Sequence, residues 1–100
     1  MQIPEKIKIG WRTYSIEQGE RRFGSNGGDL YGEIQYEKGE IYLYEGQSEE
    51  NKWVTLLHEI IHGIFFMTGQ SEYRGNEDLT TLLSENLYQV LKDNKLHFDE

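Results

Sequence analysis

The sequence contains no cysteine. Disulfides, thiolate zinc sites, iron–sulfur clusters and cysteine nucleophiles are therefore excluded. A metal site in this chain needs histidine and carboxylate ligands instead. Histidine is itself scarce, because the 100 residues include only three: His58, His62 and His97. Any metal-binding hypothesis therefore rests on a very small set of imidazoles.

Basic residues are also few. Ten Lys and Arg stand against 18 Asp and Glu, which gives a formal net charge of −8. This charge repels phosphate backbones and predicts a protein that does not bind nucleic acid. No apolar run approaches the roughly 20 residues that cross a membrane, and the first residues lack the apolar core of a secretory signal. We therefore expect a cytoplasmic protein that binds neither nucleic acid nor a membrane.

The length fits one domain over residues 1–100, and its first half has the pattern of strands. Apolar and polar side chains alternate with a period of two in several short segments that glycine-rich turns separate. We expect a three- to four-stranded, mostly antiparallel sheet within 1–46. Its predicted elements are a strand over 5–17 with a break near Gly10, a loop over 18–28, and a hairpin of 31–36 and 41–44 around Gly39.

Two helices are predicted after the sheet. The first spans 48–68 and begins with Ser48, whose hydroxyl suits an N-cap. The second spans 77–93, follows the capping residue Asn76 and has a leucine-rich apolar face. A sheet followed by two packed helices defines an α+β fold. The remaining segments are a joining loop over 70–76 and a polar tail over 94–100.

The first helix contains the segment His58-Glu59-Ile60-Ile61-His62, an H-E-x-x-H motif. Residues four apart lie on the same helix face, so both imidazoles can reach a single zinc ion. Glu59 is rotated by about 100° from His58, too far to be the next ligand. Its carboxylate can still accept a proton from a water molecule bound to the metal. The motif therefore predicts two metal ligands and a general base.

The sequence around the motif is apolar on nearly every helix face, which predicts a buried helix. Buried histidines and a buried glutamate need partners, because unpaired polar groups are costly in a core. A metal ion meets this need. The alternative is a hydrogen-bonded pair of core histidines beside a buried glutamate.

A zinc site of this kind needs a third protein ligand. Glu77 is the favoured candidate, because the small residues Thr80 and Ser84 follow it at i+3 and i+7 and would let the two helices approach each other. Its ordinary role would be that of a first-turn acid at a helix N-terminus. The other candidates, which helical spacing leaves open, are Glu72, Asp78, Glu85 and His97.

The segment 56–64, with Glu77 and the later helix, resembles small phage-type zinc metallopeptidase domains of the ImmA/IrrE group within the gluzincins. In that group a glutamate opens the helix after the motif, and small residues follow at the places that Thr80 and Ser84 occupy here. The resemblance implies that Glu77 is the third ligand and that an edge strand binds an extended peptide. By this analogy the 40–45 strand is the candidate peptide-binding edge.

Three functional hypotheses follow. The first is a zinc-dependent endopeptidase of phage or mobile-element type, in which Glu59 activates a metal-bound water to cut a peptide or regulatory protein. The second is a catalytically weak or inactive binding module that keeps the metal as a structural staple. The third is a metal-free, acidic interaction protein. No histidine or arginine is recognisable in the sequence as a transition-state stabiliser, and Tyr73 and Tyr88 are the candidates for that role.

Overall fold

The computed structural model describes residues 2–24 and 27–96 and has the predicted α+β architecture. A four-stranded sheet packs against the first long helix, and the second long helix packs against the first. The strands are β1 (Lys6–Ile9), β2 (Arg12–Gly19), β3 (Arg22–Phe23), β4 (Asp29–Leu30), β5 (Gly32–Gln35) and β6 (Glu40–Tyr44). The helices are α1 (Glu49–Met67), α2 (Ser71–Arg74) and α3 (Glu77–Asp93).

The main sheet has the strand order β1-β2-β6-β5. The β5–β6 pair is the predicted antiparallel hairpin, the strand predicted over 5–17 folds back at its break near Gly10 into the antiparallel pair β1–β2, and β2 and β6 run parallel. Gly39 closes the second hairpin with a φ of +68°, a conformation that glycine adopts readily. The sheet is therefore mostly antiparallel, with a parallel pair at its centre.

The strand predicted as the peptide-binding edge is not at an edge. β6 lies between β2 and β5 and is hydrogen-bonded on both sides, so it offers no free backbone groups to a peptide. In the described part of the chain, β5 pairs with β6 alone and forms the outer strand next to α1. The choice of the 40–45 strand was therefore wrong. The alternation of side chains shows that β6 pairs with β5, but it does not show that β6 also pairs with β2 on its other side.

Two predicted loops contain regular structure. Within 18–28, β2 continues to Gly19 and β3 forms, and β3 pairs with β4 just after the predicted loop in a small second sheet. Within 70–76, the short helix α2 forms between the two long helices. Both elements are too short to give a periodic pattern in the sequence, so their formation depends on the surrounding packing.

Both long helices begin as their capping residues predict. The Ser48 hydroxyl accepts a hydrogen bond from the backbone N–H of Asn51 at 3.2 Å. The Asn76 side chain accepts one from the backbone N–H of Leu79 at 3.0 Å. Because each cap satisfies an otherwise unpaired donor, it fixes the residue at which its helix starts. In α3 that first residue is Glu77.

The interface between α1 and α3 contains the two small residues predicted there. Thr80 and Ser84 are fully buried. The Thr80 hydroxyl donates to the backbone carbonyl of Asn76, and the Ser84 hydroxyl donates to that of Thr81. Their polar groups are thus satisfied without a partner on α1, while their small volume allows the two helices to approach closely. The core on the other side of α1 is apolar and consists of Ile9, Tyr14, Ile41, Leu43 and Leu56.

Among the residues that the structure describes, no helix combines the length and the apolar character that a membrane crossing requires.

Candidate metal centre

Helix α1 presents His58 and His62 on one face, one turn apart. Their Nε2 atoms lie 3.2 Å from each other, and the two rings meet edge to face. His62 is buried and His58 is largely covered. Four-residue spacing on a helix therefore brings both nitrogens to one point, as the motif predicts.

Glu77 reaches the same point from the first turn of α3. Its Oε2 lies 3.0 Å from Nε2 of His58, and its Oε1 lies 3.0 Å from Nε2 of His62. The Asn76 cap sets where α3 begins, and α3 packs against α1 with Thr80 and Ser84 fully buried. The carboxylate thus joins the two imidazoles through helix packing.

The spacing of these donor atoms fits a small divalent cation. Two ligands at 2.0–2.1 Å from one ion in tetrahedral geometry lie about 3.3 Å apart, close to the observed 3.0–3.2 Å. Two imidazole nitrogens and a carboxylate also form a donor set that zinc accepts. His58, His62 and Glu77 therefore form a group that could bind a metal ion.

The electrostatics of the site favour imidazole as a ligand. Burial lowers the pKa of His58 below its usual value, while the neighbouring Glu77 carboxylate partly opposes this change. A neutral imidazole has a free lone pair, which a metal ion requires and a protonated ring lacks. His58 is thus held in its metal-binding form near neutral pH.

Glu59 lies beside the cluster and faces β5. Its side chain is only 7% exposed and accepts a hydrogen bond from the backbone N–H of Ile34. Burial, together with the Glu77 and Glu33 carboxylates, raises the pKa of Glu59 to about 8. At this pKa the carboxyl is mostly protonated at pH 7 while the cluster holds no cation, and a divalent ion bound beside it would lower the pKa and favour the carboxylate that a general base needs.

One ligand candidate lacks a second partner. Among the described residues, Nδ1 of His62 is buried and makes no hydrogen bond. Metal-bound histidines usually donate this N–H to a carbonyl or carboxylate, which fixes the ring orientation. In this site the His62 ring is oriented by packing and by the contacts of its Nε2 with Glu77 and His58, without a partner at Nδ1.

The other candidate ligands do not join the cluster in the described part of the chain. Asp78 and Glu85 are exposed on α3, and Glu72 is exposed on α2. His97 lies outside the described residues. The sequence favoured Glu77 over these alternatives, and it is Glu77 whose carboxylate contacts both histidines.

The site opens into a pocket of about 510 Å³ that also includes residues the sequence did not identify. Tyr36 follows β5 and Arg74 ends α2, and both line this pocket with the two histidines. Neither residue belongs to a motif, and α2 itself was predicted as a loop, so no signal in the sequence linked them to the site. The sequence contained no recognisable arginine near the motif, and the structure places Arg74 beside the histidine cluster.

The comparisons with known proteins add no relative. No protein-family model matches the chain, and neither the curated proteins nor the solved structures include a match. The class that the fold and site define is thus an α+β domain with a His-His-Glu cluster that could bind a metal ion.

Proposed function

We propose that this protein is a zinc-dependent metallopeptidase. The observation that supports the proposal most strongly is the convergence of His58, His62 and Glu77 beside the buried carboxyl of Glu59. Three protein ligands with an adjacent general base are typical of catalytic zinc sites, which keep one position open for water or substrate. A cytoplasmic location, which the cysteine-free composition favours, is part of the same proposal.

The residues take distinct roles. His58, His62 and Glu77 would hold the ion, and when bound, zinc supplies Lewis-acid chemistry that polarises a carbonyl and acidifies water. Glu59 accepts the proton of the attacking water and then passes it to the leaving amine. Its buried position beside the cluster and against β5 places it where it can reach a water on the metal and then the leaving amine.

The outer strand β5 is the proposed docking place for an extended peptide. A peptide can add to a free sheet edge through backbone hydrogen bonds, and β5 borders the pocket with Gly32, Glu33 and Ile34. This replaces the 40–45 strand in the same role. The resemblance to the ImmA/IrrE group supports a substrate that is a regulatory protein of phage or host, and this assignment rests on that analogy.

The test combines metal content with hydrolysis. We expect untagged protein to contain one zinc per chain by elemental analysis and to cleave members of a fluorogenic peptide library. The Glu59→Gln variant should retain zinc and lose cleavage by at least a hundredfold, because the amide cannot accept the proton. Glu49→Gln, at an exposed position in the first turn of α1, is the matched control and should leave both unchanged.

Two results would contradict the proposal. A folded protein that contains no zinc and whose stability ignores chelators would exclude the metal site. Equal cleavage by wild type and Glu59→Gln would exclude Glu59 as the base.

A catalytically weak or inactive binding module that keeps the metal as a staple is the second candidate. The unpartnered Nδ1 of His62 favours weak catalysis, because a partner at this nitrogen normally supports the activity of a metal site. In this case wild type and Glu59→Gln would both contain zinc, and neither would cleave any peptide of the library. The β5 edge would then serve partner binding alone.

A further inference from the structure

The pocket beside the metal cluster has an uneven distribution of charge. Its lining includes three carboxyl groups, those of Glu33, Glu59 and Glu77. Among the described residues that line it, Arg74 is the only Lys or Arg. An acidic group that entered this pocket would be attracted at Arg74 and repelled by Glu33, while a bound zinc ion would offset the charge of Glu77.

Arg74 is held in place by aromatic side chains. Its guanidinium carbon lies 5.5 Å from the centre of the Tyr36 ring and 5.3 Å from that of Phe66. The two rings stack on each other, with their centres 4.2 Å apart. Because the guanidinium contacts a fixed aromatic pair, it loses less rotational freedom on binding a ligand than a free surface arginine would.

The charge of Arg74 has no close counterpart within the protein. In residues 2–24 and 27–96, no carboxylate oxygen lies within 4.0 Å of its guanidinium, although the chain is strongly acidic. The planar guanidinium can form two parallel hydrogen bonds to a carboxylate. An arginine that is half-buried, oriented and unpaired at the wall of an acidic pocket is suited to bind an anion from outside the chain.

We propose that Arg74 binds a carboxylate of the peptide substrate and thereby selects substrates with an acidic side chain or a free C-terminus close to the scissile bond. This inference rests on the proposed peptidase function, whose substrate it specifies. Because the carboxylate of Glu33 repels a negative charge elsewhere on the pocket wall, Arg74 also favours one register for such a peptide.

The test uses short peptide hydroxamates, which bind zinc through the hydroxamate group, on the zinc-loaded protein. In three ligand pairs, one member has Glu and the other Gln at one of three successive positions. In a fourth pair, one member has a free C-terminal acid and the other its amide. Calorimetry gives the affinity ratio within each pair. We expect wild type to prefer one acidic ligand by about tenfold, as charge-assisted hydrogen bonds allow.

Arg74→Met should reduce that ratio to about one while zinc content and the affinity for the neutral ligand stay unchanged. Arg21→Met is the matched control, because Arg21 also lies near a tyrosine ring, that of Tyr44 at 5.4 Å, and does not line the pocket. It removes the same charge and should keep the preference. A purely structural role for Arg74 would lower both affinities together and leave the ratio intact.

A preference confined to the Glu/Gln pairs identifies a side-chain carboxylate, and one confined to the acid/amide pair identifies the C-terminus. Equal binding within every pair, or a preference that survives Arg74→Met, would overturn the role of Arg74 while the metal site stands. If no hydroxamate binds the zinc-loaded protein, the open metal position fails, and the proposed function and this inference fail with it.

Discussion

Gly32 offers a sharp test of how closely β5 approaches α1. A Cβ atom at this position would lie 2.4 Å from Cγ2 of Thr55, 3.2 Å from the backbone oxygen of Tyr42 and 3.4 Å from Oε2 of Glu59. The first distance is far below van der Waals contact, so Gly32→Ala forces the strand and the helix apart. This strand contacts both the general-base candidate and the pocket, and the substitution therefore probes the site as well as the fold.

We expect Gly32→Ala to lower the free energy of unfolding by about 2 kcal/mol, within the usual range for overpacking. Thr55→Ser removes the methyl group that the new Cβ would meet, and it keeps the hydroxyl that donates to Gln47 at 3.1 Å. Alone it should cost up to about 1 kcal/mol, since Thr55 is partly buried. In the double variant the clash with Cγ2 disappears. The loss of stability in the double variant should therefore be smaller than the sum of the two single losses by at least about 1 kcal/mol.

The assay is urea unfolding of the four proteins, followed by far-UV circular dichroism in one zinc-containing buffer. A double-mutant cycle then gives the coupling energy between the two positions. If Gly32→Ala changes the stability by less than about 0.5 kcal/mol, or if the two effects add within that margin, the close approach of β5 to α1 is wrong.

Three further predictions concern α3. Ser84→Leu should weaken zinc binding at least tenfold in competition with a chelator, because a large side chain at this fully buried contact separates the helices, whereas Ser84→Ala should keep the affinity. Glu77→Gln should abolish most of the rise in melting temperature that zinc produces, and Asp78→Asn, at its exposed neighbour, should not. Asn76→Ala should cost about 1 kcal/mol in urea unfolding through loss of the cap, so an unchanged midpoint would contradict the capping contact.

Much of the fold could be predicted because its signals are local. The hairpin around Gly39 and the strand segments on either side of Gly10 follow from period-two alternation, and the long helices follow from their caps and apolar faces. The parallel pairing of β2 with β6 could not be predicted, because it joins segments far apart in the chain. The peptide-binding edge was misassigned for that reason.

The candidate site divides in the same way. The sequence by itself determined that His58 and His62 share a helix face and that Glu59 is rotated away from them, because these positions follow from residue spacing on a helix alone. It favoured Glu77 as the third member without excluding Asp78 or Glu85. Only the packing of α3 on α1 brought the Glu77 carboxylate to both imidazoles.

Only the tertiary structure brought Tyr36 and Arg74 to the same pocket and buried Glu59 against β5. These arrangements depend on contacts between segments that are distant in the chain and on the exclusion of solvent by those contacts. The periodicity and spacing of residues do not indicate which distant segments meet or which side chains lose solvent. The sequence thus determined the elements of the fold and the chemistry of one helix face, while tertiary packing decided which other side chains stand opposite that face and what charges they experience.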